Sequence, residues 1–546
     1  MVQLSRRQLL AAAGAAAVAG LAACSDGDSD SGNLDGKRAG AMDGFKAGDQ
    51  FKATEPLKFS IMLLSNQAYP YKADWPFWAE LTKRTNVTLE PVAVPGSDYN
   101  QKRSVMVSAG NAPLLIPKTY HPSEEAYIAG GAILAVSDYA DLMPNYTDKV
   151  NRWNLKANLD TYAQEDGKYY LLPGVHEGVW QDYSLAMRSD ILTKLNLAVP
   201  KTWDEVASTL REMKKAYPNQ YPLSDRWSTP PQPGGNALIS IVGQGYGVNA
   251  GWSWNPAFWD ANAGKFAFTG ATEQYRQMLQ YLAGLVSEKL VDPESFTQTD
   301  DNARQKFASG KSFVMCCNAQ TLVKEARKDI AKLPGATVTK IPLPMGPMGA
   351  SLPPDNRLEN GLMISRKALE NKNFVALMQF VDWLWYSDAG QMFSRWGIEG
   401  ETYSGKVEDA SFKLDPKIKW SGLNPGAAKD LQVDYGFSNG VFAYGGSTAM
   451  LNSQFSDEEK VFQAEMHKRE IRPVPPGHPL TVEEREQATL QEAALHDHVD
   501  QQTLKFILGQ RPLSEWDAYV AELKGKGLDQ YVGTMNKAYE RFKEKK

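Results

Sequence analysis

The chain predicts an α/β fold made of two successive halves with a helical end. Three observations carry this. Strand-like and helix-like segments alternate from Leu57, the alternation restarts at Met187, and roughly the last hundred residues show almost only helical periodicity. Leu57 to Leu64 reads as a strand, and Asp74 is placed to cap a helix running to about Thr85. Val87 to Val92 is a second strand, and Tyr99 to Ala109 a helix stopped by Gly110. Leu114 to Ile116 is a short buried strand, Ser123 to Ala129 is helical, and the Asp166-Gly167-Lys168 turn leads into a strand at Tyr169 to Leu172. In the second half Arg188 to Leu195 is helical, and Pro200 and Thr202 open a helix to about Ala216. Thr272 to Leu290 carries Tyr275, Met278, Leu279, Leu282, Leu285 and Val286 on one helical face. Asn302 to Ala308 is a helix, Ser312 to Cys316 a strand, and Phe374 to Tyr386 an amphipathic helix. Leu513 to Leu523 and Leu528 to Phe542 close the chain as helices.

The amino terminus is an address. Ser5-Arg6-Arg7-Gln8-Leu9-Leu10 is a twin-arginine export signature, an apolar run extends to Ala23, and Leu21-Ala22-Ala23 stands before Cys24. This is the pattern of a lipoprotein signal (residues 1–23), with Cys24 as the lipidated residue. The run is shorter than the roughly 20 apolar residues of a membrane span, and no later stretch reaches that length. Two acyl chains are enough for stable anchoring. Removing Arg6 and Arg7 takes the net charge from −5 to −7. Residues 24–55 are rich in Ser, Asp, Gly and Ala, the composition of a flexible linker.

The three cysteines are Cys24 and the neighbours Cys316 and Cys317, which points to buried small residues rather than a disulfide or metal framework. The mildly acidic balance excludes a nucleic-acid partner of the usual basic kind. Fourteen Trp and 23 Tyr are more telling, because many stand in Gly-, Pro- and Asn-rich loops. Aromatic residues there line binding sites more often than they fill cores.

Several local patterns occur in a characteristic order: Asp166-Gly167-Lys168-Tyr169-Tyr170-Leu171-Leu172-Pro173, Arg188-Ser189-Asp190, Val199-Pro200-Lys201-Thr202-Trp203-Asp204-Glu205, Phe307-Ala308-Ser309-Gly310-Lys311 and Gly397-Ile398-Glu399-Gly400-Glu401-Thr402-Tyr403. Together they resemble the family 1 extracellular solute-binding proteins of carbohydrate ABC importers, in particular the long oligosaccharide-binding lipoproteins. The resemblance covers roughly residues 57 to 546. It implies a two-lobe periplasmic-binding-protein (Venus-flytrap) fold of type II with a helical C-terminal extension. It also implies an oligosaccharide ligand held by hinge closure, ABC transporter permease subunits as partners, a monomer, and no cofactor. The expected partition is 56–175 plus about 318–362 for the first lobe, and about 176–317 plus 363–546 for the second. Some relatives carry a calcium loop after the Thr-Trp-Asp-Glu helix. Here residues 216–225 lack the alternating oxygen ligands and the closing Glu, so no metal is expected there.

A sugar presents apolar C–H faces and equatorial hydroxyls, which call for aromatic platforms edged by polar groups. Asp225 with Trp227, Trp252 and Trp254, and Trp396 near Glu399 have that composition. Asn66 and Tyr120 end strands of the first half, where open α/β sheets bind ligands. His176 and Trp180 follow the first hinge strand, Trp75 opens the first helix, and Asn318 ends the crossover strand. Phe437 and Asn439 lie in a Gly-rich loop placed to close over the site. Trp203, Trp383 and Trp385 stand inside helices and are assigned to packing. The competing classes are a secreted glycoside hydrolase and a surface adhesin. A hydrolase needs a positioned carboxylate pair, and sequence alone pairs none of Glu177, Asp182, Asp225, Glu399 and Glu401.

Overall fold

The computed structural model describes residues 34–225, 237–349, 351–353 and 357–545. The export signal, Cys24 and Trp227 lie outside the described residues. The chain divides into two compact units, residues 1–36 and 37–546. In the first, Asp35 and Gly36 form a turn; the architecture below is that of the second.

Eight strands build its two main sheets: β1 (Leu57–Ser65), β2 (Val87–Pro95), β3 (Leu115–Thr119), β4 (Leu172–Val175), β5 (Ser184–Arg188), β6 (Val314–Cys317), β7 (Val338–Lys340) and β8 (Leu358–Ile364). The first sheet has the order β2-β1-β3-β8-β4 and the second β6-β5-β7. In the first, β1 runs parallel to β2 and β3, while β8 is antiparallel to β3 and β4. The carboxyl ends of β1, β3 and β4 therefore share one edge with the amino end of β8. In the second, β5 is antiparallel to both neighbours, so the start of β5 and the end of β6 share an edge, with Ser184 opposite Cys317.

Local chemistry explains the elements. Ile61, Met62 and Leu63 are buried in succession because β1 is covered on both faces. The helix Pro76–Thr85 starts on Pro76 and ends at Asn86, whose left-handed backbone (φ 58°) returns its N–H to the Thr82 carbonyl. No side chain caps its start, so the expected Asp74 cap does not form. Thr202 and Thr272 cap the helices Trp203–Ala216 and Glu273–Ser287 by accepting the Glu205 and Tyr275 N–H groups. The helix Phe374–Tyr386 is buried all round rather than amphipathic. It is wedged between Phe59 and Phe51 on one side and the helices Pro144–Arg152 and Asp388–Trp396 on others. Its Asp382 is fully buried and accepts the Asn145 and Tyr146 N–H groups at 2.9 and 2.8 Å, capping the Pro144–Arg152 helix. Burial pushes this carboxyl up to about 6 against the pull of those bonds.

The strand pairing redraws the lobe boundaries. β6 pairs with β5, and Leu322, Ala326 and Ile330 pack beneath that sheet, so 318–349 lies in the second lobe. β8 pairs with β3 and β4, and Trp385, Phe442 and Phe77 pack on the first sheet's helices, so 357–452 lies in the first lobe. The chain returns to the second lobe at the helix Asp457–Met466, whose Phe462 and Met466 join a core with Leu282, Val314 and Leu495. Local periodicity does not encode which sheet a strand joins, hence the difference from the expected partition. Among the described residues the chain passes between the lobes at 176–183 and 453–456. The flexible linker also ends earlier than expected. Phe51 is fully buried against Phe380, the Val375 N–H donates to the Lys37 carbonyl at 3.0 Å, and Gln379 holds both backbone polar groups of Met42. Residues 37–55 are therefore a packed part of the first lobe.

The helices Val482–Ile507, Trp516–Gly525 and Leu528–Glu544 cover the second lobe. Arg485, in the first of them, reaches across to the first lobe. It pairs with Glu125 and donates to the Gln164 side chain at 2.7 Å. Among the described residues no helix is long and apolar enough to cross a membrane.

Candidate functional site

The two sheet edges face each other beside the crossings, and polar side chains from both lobes gather there. In the first lobe β3 ends on Pro117, Lys118 and Thr119. Tyr99 donates its hydroxyl to the Pro117 carbonyl at 2.7 Å, and Arg103 donates to the Lys118 carbonyl at 2.8 Å. So held, Lys118 takes a left-handed backbone (φ 56°), which for a residue with a Cβ costs on the order of 1–2 kcal/mol. The turn aims its ammonium at the Tyr120 hydroxyl, 3.2 Å away. Tyr120 itself is 55 % exposed. Asn66, at the end of β1, is spent on its own turn, accepting the Ala68 N–H at 2.8 Å.

Glu359 opens β8 at the same edge and retains 32 % of its side-chain surface. It is hydrogen-bonded to His176 Nε2 and accepts the Gly445 N–H at 3.2 Å and the Asn360 side chain at 3.1 Å. Burial works to raise its pKa, but the His176 bond, the Lys118 charge and the Gly445 N–H outweigh it and hold the carboxyl down to about 2. Trp180, half-buried, tilts beside His176 with ring centroids 6.1 Å apart.

From the second lobe come Asp182 and Asn318. Asn318 caps the short helix after β6 and donates its side-chain N–H to Asp182 at 3.3 Å. Lys340 donates to the Asp182 carbonyl at 2.7 Å and pairs with buried Glu459 at 2.9 Å. Burial pushes the Asp182 carboxyl up, with the Glu359 charge adding to it and Lys340 and Asn318 opposing. Trp252 is half-buried and meets Tyr183 edge-on at 5.2 Å.

Of the residues expected from sequence, Asn66, Tyr120, His176, Trp180 and Asn318 come to these facing edges, with Trp252 on the second lobe behind Tyr183. Five others are sealed in packing. Trp75 is 3 % exposed and donates its indole N–H to the Val433 carbonyl at 3.0 Å. Fully buried Trp396 donates to Ser453 at 3.0 Å and lies against Phe412 and Trp420. Phe437 packs on Phe77 and Phe393, and Asn439 accepts the Val441 N–H. Asp225 is a scaffold residue, accepting the Leu238 and Cys316 N–H groups at 3.0 and 3.1 Å. Trp254 packs toward Phe268 and Tyr275 in the second lobe, and exposed Glu399 stands in the segment after Trp396, pairing its backbone with Tyr403. Trp203, Trp383 and Trp385 are buried as assigned, and so are Cys316 and Cys317. Lys118 and Glu359 lie outside the set expected from sequence. Glu359 carries a signal, as the one charged residue of Leu-Glu-Asn-Gly-Leu-Met-Ile; nothing local marks Lys118.

The edges thus offer a cation, two carboxylates whose pKa values are shifted in opposite directions, amides, and aromatic faces. That set fits a hydroxyl-rich ring compound.

Residues 65–392 match the family model of the bacterial extracellular solute-binding proteins. Over 492 residues the chain is 24 % identical to the fructooligosaccharide ABC transporter substrate-binding protein FusA of Streptococcus pneumoniae serotype 4, covering 82 % of this chain and 84 % of that one. It is 24 % identical over 242 residues to the polygalacturonan/rhamnogalacturonan-binding protein YtcQ of Bacillus subtilis, covering 44 % and 46 %. The solved structure of the alginate-binding protein AlgQ2 without calcium ion superposes with a TM-score of 0.67 at 20 % identity, over 90 % of this chain and 99 % of that one. This likeness shows the two-lobe fold.

Proposed function

Because the chain belongs to the bacterial extracellular solute-binding protein family, we propose that it captures an oligosaccharide between its lobes by hinge closure and delivers it to ABC transporter permeases without altering it. The observation that carries this reading is the convergence of Lys118, Tyr120, Glu359 and Trp180 with Asp182 and Asn318 at facing sheet edges beside the crossing at 176–183. A sugar there contacts both lobes only in the closed state, so binding shifts the population toward closure. The Arg485 contact with Glu125 and Gln164 is of the kind that forms on closing.

Calorimetry of the soluble domain against fructo-, xylo-, manno-, arabino- and galacto-oligosaccharides plus peptides tests it. Saturable heat with one sugar series and no shortened products is the expected result. Binding of a peptide and no sugar overturns the ligand class, and reducing-end release that scales with protein overturns binding without catalysis. Cys24, lipidated after cleavage of residues 1–23, holds this device on the outer face of the membrane near its permease, which raises local concentration. Cys24→Ser is expected to release the protein from the membrane fraction, and Arg6→Lys with Arg7→Lys to block export. Gel filtration is expected to give a monomer.

A further inference from the structure

A cavity of about 890 Å³ lies beside the crossing at 453–456, separate from the facing edges. Its walls come from three places. The segment after Trp396 supplies Glu401, Tyr403 and Phe412, the crossing supplies Phe455, and the second lobe's Asp457–Met466 helix and the residue after it supply Gln463 and His467. Lys118, Tyr120, His176, Asn318 and Glu359 take no part in it. The volume is that of a small-molecule site. Tyr403 and Phe412 lie side by side, centroids 5.9 Å apart and 32° between planes, a platform next to carboxylate, amide and imidazole groups. Glu401 and His467 are exposed, so the chamber is open to solvent.

A row of aromatic rings leads from one place to the other. His176, bonded to Glu359, is 6.1 Å from Trp180, and Trp180 is 6.3 Å from Phe455, which lines the chamber. We propose that this chamber is a second carbohydrate seat, which receives the far end of longer chains passing over Trp180 while their other end occupies the sheet edges. The proposal rests on the oligosaccharide reading above. Its walls belong to both lobes, so an occupant there also favours the closed state.

The experiment measures affinity by calorimetry for the disaccharide and the hexasaccharide of each of the five series, with wild type and two variants. Ala464→Trp places an indole in the chamber from an exposed position on the second-lobe helix, where the alanine has no packing to lose. Tyr403→Ala removes half of the platform and serves if Ala464→Trp does not fold. The expected result is a hexasaccharide affinity lower by about tenfold, an unchanged disaccharide affinity and an unchanged melting temperature. Equal affinities for wild type and variants at both lengths overturn the chamber. An equal loss at both lengths also overturns it, because the cavity is then the main site. If wild type binds no sugar of either length, the oligosaccharide reading itself falls, a result distinct from both.

Discussion

Two groups of aromatic residues border the cleft, and the structure treats them in opposite ways. Trp75, Trp396 and Phe437 are closed over by neighbouring segments: the Val433 carbonyl and Gly436 lie against Trp75, the Ser453 hydroxyl against Trp396, and Gly397 against Phe437. Tyr120 follows β3 and Trp180 lies between β4 and β5, while Trp252 stands behind Tyr183, and all three keep accessible surface. All six sit in similar Gly- and Pro-rich sequence. Loop location therefore does not make an aromatic residue a platform; what decides is whether another segment returns to cover it. The segment 397–445 does this in the first lobe, and no described segment does it for Tyr120.

The contrast is broken or sharpened by substitution. Trp396→Ala is expected to cost about 3–5 kcal/mol of stability by leaving a cavity, read from urea unfolding, with unchanged affinity in the fraction that remains folded. A small loss of stability with a large loss of affinity would move Trp396 into the other group. Trp180→Ala is expected to do the reverse: affinity falls about tenfold or more, as for a central aromatic contact, and the melting temperature stays within about 2 °C. Lys118→Gly separates strain from binding in one residue. Relief of its left-handed backbone is expected to raise stability by about 1 kcal/mol, while loss of the ammonium weakens ligand binding severalfold. No gain in stability would show that the Tyr99 and Arg103 bonds do not hold the turn under strain.

The smallest expected effect is electrostatic. Glu359 titrates near 2, below the ordinary carboxylate range of about 4. A depressed carboxylate contributes stability that is fully present above its unfolded pKa and is lost as pH falls through the folded one. Wild type is therefore expected to lose stability between about pH 4.5 and 2 with a steeper slope than Glu359→Gln. Equal slopes would mean that His176 and Lys118 do not stabilise the anion.

Much of the fold is legible without coordinates. The strands at 57–65 and 87–95 and the helices at 99–108, 203–216 and 273–287 follow from periodicity, Thr caps and Gly stops, because these are local effects of backbone and side chain. The positional rule that ligands bind beyond strand carboxyl ends picked out Asn66 and Tyr120, and both directly follow strands of the first sheet at that edge. Other features needed distant segments to meet. The β5 strand is not among the segments read from periodicity, and becomes a sheet centre only when β6 and β7 arrive from more than a hundred residues away. The Phe374–Tyr386 helix loses its polar face only because a sheet and two helices enclose it.

The sequence by itself determined the α/β character, the resemblance to solute-binding proteins and the abundance of loop aromatics, and it raised the expectation of an export signal before Cys24, since each is written in adjacent residues. Tertiary structure alone decided which sheet each strand joins, which tryptophans keep accessible surface, and that the Lys118 charge comes near Glu359. The reason is that strand pairing, coverage and charge proximity depend on residues far apart in the chain.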